Sequence, residues 1–237
     1  MDGKALLGLE VMEDRTDGAR CDEGFLTLRR LVLRNVYGDG SSSAPYPCDV
    51  LERPGSDAVV AVLYERHEGG IRVLLREAPR GPVYLRKHKA FVHPDPREYI
   101  SILEVVAGLV EDGDAPGADG LRARAVIEAR EEAGVEVAPS ACVMLGGETF
   151  ASPGTTDEKL YFCAVETPLA ERGEAVGDGT VMEEWSRVHL VSLGEAIAMC
   201  RDGRIPDMKT EVALLRLADH LGYVPALDAF VEDLPAR

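Results

Sequence analysis

The stretch that decides the fold is "IEAREEAGVEV", Ile127 to Val137, which places three glutamates within five positions and then stops on a glycine. On a helix Glu128 and Glu132 are four residues apart and Glu128 and Glu131 three, so all three carboxylates share one face. Like charges at that spacing repel by about a few tenths of a kcal/mol per pair. They also sit at the C-terminal end, where the helix dipole disfavours anions. Arg124 and Arg130 could offset part of that cost, which makes a solvated helix face the ordinary reading. The alternative is a set of hard oxygen donors neutralised by Mg²⁺ or Mn²⁺.

Working outward, Asp119 to Ala133 is rich in Ala, Arg, Glu and Leu and reads as helix, with Gly134 where a C-cap belongs. Its apolar stripe is expected to include Leu121, Ala125 and Ala129, leaving the glutamates toward one edge. Upstream, "ISILEVVAGLVEDGD" reads as a strand running into a glycine-rich turn. Further strands are expected over Phe25–Gly40, Ala58–Tyr64 and Ile71–Arg76, then around Cys142–Phe150 and Leu160–Glu166. "SSSAPYP" (Ser41 to Pro47) reads as a turn or short linker. From Trp185 onward the pattern supplies a strand and two helices split at Gly203–Pro206. Strands and helices interleave without a strict βαβ rhythm, so the expected class is α/β with a mixed sheet, or an α+β sandwich. Residues 1–55 read as a small N-terminal β extension and 56–237 as the main domain.

The bulk numbers exclude some functions. The net charge of −16 and pI near 4.7 argue against a nucleic-acid surface, which needs a basic stripe. Five scattered cysteines without CxxC spacing fit reduced thiols in a cytoplasm. No apolar run is long enough for a membrane span, and the N-terminus lacks the apolar core of a signal peptide. One segment runs against the acidic composition: Arg86-Lys87-His88-Lys89, within the loop Leu85 to Tyr99. It reads either as a solvated loop, the ordinary case, or as a contact for a terminal phosphate or carboxylate.

With Gly108 upstream and Gly134 downstream, the opening stretch resembles the Nudix box, G-x5-E-x7-R-E-U-x-E-E-x-G-U, where U is bulky and apolar. Glu128-Ala129-Arg130-Glu131-Glu132-Ala133-Gly134-Val135 matches its C-terminal part. Three departures stand out. Asp114 replaces the first glutamate, Ile127 replaces the arginine, and twelve residues rather than seven separate them. Arg124 or the longer loop is left to compensate. Three other stretches resemble the ADP-ribose pyrophosphatase branch of that superfamily: "ILEVVAG", with Val106 where proline is usual, "ASPGTTDEKLYFCAV", and "GRIPDMKTEVALLRL".

The resemblance implies a Nudix-type α/β/α sandwich with a mixed sheet, the N-terminal strands often pairing across a homodimer. It implies Mg²⁺ or Mn²⁺ held by Glu128, Glu132 and the Ala107 carbonyl, with Glu131 assisting. Glu158 becomes a candidate base for the attacking water or a further ligand, with the helix glutamates Glu131 and Glu132 as the other candidates to orient or deprotonate that water. Arg80 and Glu104 are expected at the substrate pocket. Asp207 and Lys209 are expected to cap and dock the last helix. The activity implied is hydrolysis of a small nucleotide substrate such as ADP-ribose to AMP and a sugar phosphate. Adenine is expected to stack on an aromatic near the N-terminal strands, with Phe25 and Tyr37 as candidates. The rival reading is a Nudix-fold sensor that binds nucleotide without useful turnover.

Overall fold

The computed structural model describes residues 20–68, 70–177 and 185–234. Two strands, β1 (Thr27–Leu33) and β2 (Tyr46–Glu52), form an antiparallel hairpin outside the main sheet. The expected strand Phe25–Gly40 is therefore shorter, and the expected linker Ser41–Pro47 overlaps the start of β2.

The main sheet is built from β3 (Ala58–His67), β4 (Gly70–Ala78), β5 (Ile102–Glu104), β6 (Val106–Leu109), β7 (Cys142–Met144), β8 (Thr149–Phe150), β9 (Lys159–Glu166) and β10 (Arg187–Ser192). Its order is β10-β4-β3-β9-β7, with β5 on β4, β6 on β3 and β8 on β9. β3 and β9 run parallel and the other pairs antiparallel, so the sheet is mixed. The "ILEVVAGL" run makes two strands rather than one, because the chain changes partner at Val105 from β4 to β3. The expected strand Cys142–Phe150 is likewise split, at a turn where Gly146 takes a positive φ of 78°.

Helix α1 (Gly81–Tyr84) is a single turn after β4. α2 (Gly117–Ala133) covers one face of the sheet, and α3 (Leu193–Arg201) with α4 (Met208–Leu221) covers the other. Strand β3 shows why its sequence is an unbroken apolar run. Val60, Val62 and Tyr64 pack among Ile197, Leu214 and Leu217, whereas Val59, Ala61 and Leu63 pack among Ala125, Ala129 and Ala133. A strand buried on both faces has no polar alternation to show. The protein is thus α/β with a mixed sheet between helices, and no helix among the described residues is long and apolar enough to cross a membrane.

The helix ends follow local chemistry. Asp207 accepts the Thr210 amide at 3.1 Å and caps α4, as expected. Ser192 accepts from the Glu195 amide at 3.2 Å and caps α3. Gly134 ends α2 in the left-handed region at φ 66°, and a Cβ there would also overlap the Gly173 carbonyl, so glycine is required twice over.

Candidate active site

The site begins with strand alternation. On β4, Leu74 points toward α2 and Leu75 toward α3 and α4, so Arg76 faces α2. Arg76 is the direct cross-strand partner of Glu104 on β5, which puts both side chains on that face. Both are almost fully buried, at 2% and 1% exposure, so each needs a counter-charge. Arg76 Nη1 lies 2.7 Å from Glu132 Oε1 of α2. Glu104 accepts from Arg80 Nε at 2.8 Å and from Lys209 Nζ at 2.6 Å. Lys209 also reaches Asp207 at 2.9 Å, so three cations face three carboxylates across β4, β5, α2 and the start of α4. Burial works against the Lys209 charge, but Glu104 and Asp207 raise its pKa above the usual lysine value.

Gly108, inside β6, explains where the helix glutamates lie. Gly108 pairs with Val59, whose side chain faces α2, so the missing Cβ of Gly108 also points at the helix. The Glu128 carboxyl fills that space, and a Cβ on Gly108 would overlap it. One residue earlier, the Ala107 amide donates to Glu132 Oε2 at 3.2 Å. Glu132 is only 5% exposed, and burial pushes its pKa up to about 8; Arg76 and the Ala107 amide oppose that shift, while Glu128 and Glu104 add to it. Glu132 therefore lies inside the protein, beyond the helix edge where the apolar stripe placed it. Glu131 is more exposed and sits 3.7 Å from Arg130.

Two departures from the box meet in space. Arg124 grips Asp114 with two hydrogen bonds of 2.9 Å, reaches Glu111 at 3.1 Å and approaches Glu128 at 3.7 Å. The bond from Arg124 holds the Asp114 carboxyl below the usual range. An arginine one turn upstream of Ile127 thus ties the lengthened loop to the helix, while Ile127 itself is half-buried.

The site residues read from the sequence fall into two groups. Glu104, with Arg80 paired to it, gathers with Glu128 and Glu132 beside Ala107 and Gly108 of β6, and Glu131 lies nearer the surface. Glu158 instead forms an ion pair with Arg53, just after β2, and its amide donates to Thr156 Oγ1 at 3.2 Å. The Leu51 amide donates to Thr155 O at 2.9 Å, so the N-terminal hairpin is stitched to the Ser152–Glu158 loop. Among the described residues no three His, Cys, Asp or Glu side chains converge into a ready-made metal set.

No family model matches the chain. Among curated proteins, a GDP-mannose pyrophosphatase of Yersinia pestis (strain Pestoides F) is 34% identical over 181 residues, covering 76% of this chain and 78% of the relative. The chain belongs to the Nudix nucleoside-diphosphate-sugar pyrophosphatase family. Another member, a GDP-mannose pyrophosphatase of Pectobacterium atrosepticum, is 30% identical over 64% of this chain and 73% of its own length. An ADP-ribose pyrophosphatase of Haemophilus influenzae is 28% identical over 77% of this chain and 75% of its own length.

Set against that family frame, sequence reading overlooked Arg53 and Arg76. Arg76 carried a signal, being a cation directly after the apolar run Val73-Leu74-Leu75 of β4, where it could only be buried with a partner. Arg53 carried none, because its role depends on a loop a hundred residues downstream in the Nudix chain.

Proposed function

We propose that the protein hydrolyses the diphosphate of a nucleoside diphosphate linked to a sugar, with ADP-ribose the first substrate to test and GDP-mannose the second. The fold that goes with this reading is the Nudix-type α/β/α sandwich. The observation that carries it is the pair Glu128 and Glu132, one turn apart on α2 and set against the Gly108 backbone and the Ala107 amide.

The donors suit a divalent cation. Their oxygens are hard ligands, and Glu128 and Glu104 both push up the pKa of Glu132, the repulsion that Mg²⁺ or Mn²⁺ would relieve. Glu128 and Glu132, with the Ala107 carbonyl and help from Glu131, would hold the metal. When bound, it would polarise the diphosphate and offset charge as a bridging P–O bond breaks. Arg80 and Lys209 place positive charge beside Glu104 at the substrate pocket. Glu158, held in place by its ion pair with Arg53, or a helix glutamate accepts the proton of the attacking water. The water oxygen joins phosphorus, the bridging oxygen leaves with its sugar phosphate, and AMP is the other product.

The exposed side chains of Phe25, Val32 and Val36 around the N-terminal hairpin support pairing of two copies into a homodimer. The scattered free thiols support a cytoplasmic enzyme.

AMP release from ADP-ribose and GMP release from GDP-mannose, each with Mg²⁺ or Mn²⁺ and then with EDTA, test the reading. Metal-dependent turnover that Glu128→Gln and Glu132→Gln abolish is the expected result. Tight ADP-ribose binding with no metal-dependent turnover across a nucleotide-sugar panel would establish the sensor reading instead.

A further inference from the structure

The segment between β4 and β5 holds a cavity of about 330 Å³ bordered by Arg86, Lys87, Lys89 and Arg97, with Asp95 and Phe91 also in its wall. Four cations and one carboxylate meet there, in a chain whose net charge is −16. A merely solvated basic loop would leave these side chains loose, whereas Arg86 and Arg97 share the one carboxylate of Asp95 and three of the four cations are set on aromatic rings. The Arg86 guanidinium lies 4.3 Å from the Phe91 ring centre, Lys87 Nζ 4.0 Å from that of Tyr84, and Arg97 5.2 Å from that of Tyr99.

Cations held on an aromatic face keep hydrogen-bond donors for a further acceptor. Asp95 uses much of its own capacity locally, accepting from the Arg97 amide and the Tyr99 hydroxyl at 3.3 Å and from Arg86 at 3.4 Å. The Lys89 ammonium makes no ion pair among the described residues. Arg97 also donates to the Gly203 carbonyl, which moors the segment to the turn that leads into Asp207 and Lys209.

We propose that this cavity binds a phosphate or carboxylate group, and, resting on the hydrolase reading, that the group is carried by the substrate beyond its diphosphate. Position supports the second clause. Arg80, which pairs with Glu104 in the active site, caps α1, and the helical turns from α1 through Leu85–His88 carry the chain directly to Arg86. At 1.5–2.0 Å per residue that path is roughly 10 Å. The volume is at the small end for ligand pockets, with room for one anionic group and its attached carbons and too little for a second nucleotide.

Substrates differing by one anionic group test the proposal. UDP-glucuronate against UDP-glucose adds a carboxylate, and ADP-ribose with and without a 2′-phosphate adds a phosphate. The wild type is expected to prefer the charged member, and Arg86→Ala/Lys89→Ala to lose about tenfold of that preference through KM, with kcat unchanged. Arg86→Lys/Lys89→Arg, which keeps both charges, should keep most of it. Titration of inorganic phosphate into the full chain in EDTA, where the helix carboxylates hold no metal, reads the cavity without turnover. Phosphate binding that the double alanine variant loses, with no substrate preference, would keep the anion site and assign it to free phosphate. If neither preference nor phosphate binding responds to the variants, the proposal fails while the hydrolase reading stands. A wild type that cleaves no nucleotide sugar yet binds phosphate through these residues would sink the hydrolase reading and keep the cavity.

Discussion

Helices cover both faces of the sheet, but they dock in different ways. α3 and α4 bring Leu193, Ile197, Leu214 and Leu217 into an apolar layer, and among the described residues neither helix buries a charged side chain. α2 meets the other face through Ala125, Ala129 and Ala133, at i, i+4 and i+8, and brings buried Arg124 and Glu132 with it. Small side chains let the helix backbone approach closely, so that glutamate carboxylates reach the backbone of β6 at Ala107 and Gly108. One face therefore stabilises the fold, and the other gives up part of that stabilisation to hold charge at a fixed place.

The sharpest way to break this contrast is Arg76→Ala. It leaves Glu132 buried without its ion-pair partner and should cost about 3–5 kcal/mol in denaturant unfolding at a pH above the Glu132 pKa of about 8, with activity lost. The double change Arg76→Met/Glu132→Met should recover most of that stability and none of the turnover. A double variant that is no more stable than the single one would show that the pair acts through packing.

Leu214→Ala, on the apolar face, should cost about 2–5 kcal/mol while leaving kcat near wild type, as measured on the folded fraction. A large fall in kcat would mean that the two faces are not separable. Gly108→Ala probes the α2 face from the strand side. Displacing the Glu128 carboxyl should cost about 1–3 kcal/mol and remove most of the metal-dependent rate. Full activity in that variant would place the working position of Glu128 elsewhere.

Asp114→Asn gives the smallest effect, about 1–2 kcal/mol at neutral pH. The folded pKa of Asp114 lies below its unfolded value, chiefly through its bond from Arg124. Its contribution is therefore present above the unfolded pKa, near 4, and disappears as pH falls through the folded value. Unfolding curves of wild type and variant should converge at the acid end. A gap that persists below the folded pKa would contradict an electrostatic tie between the loop and the helix.

Much of this was legible in the residues. Glycine at the end of α2, Asp207 at the start of α4 and the doubly buried strand β3 are local signals, and each appears where the pattern put it. Breaks in strands were harder to read. "ILEVVAGL" is evenly apolar, and only the change of partner at Val105 divides it. Of the site residues, Gly108 and the helix glutamates could be found from spacing. Arg53 and the Arg124–Asp114 tie could not be assigned, since nothing local marks which carboxylate a cation will meet.

The sequence by itself determined that three carboxylates would share one turn of a capped helix, because side-chain direction on a helix follows from 3.6 residues per turn. It also determined family membership, through the identity it shares with the relatives over most of the chain. Tertiary structure alone decided which glutamate is buried and which cation answers it. Glu132 meets Arg76 and the Ala107 amide only because two strands and a helix converge there, and burial then sets its charge through desolvation, which no sequence spacing encodes.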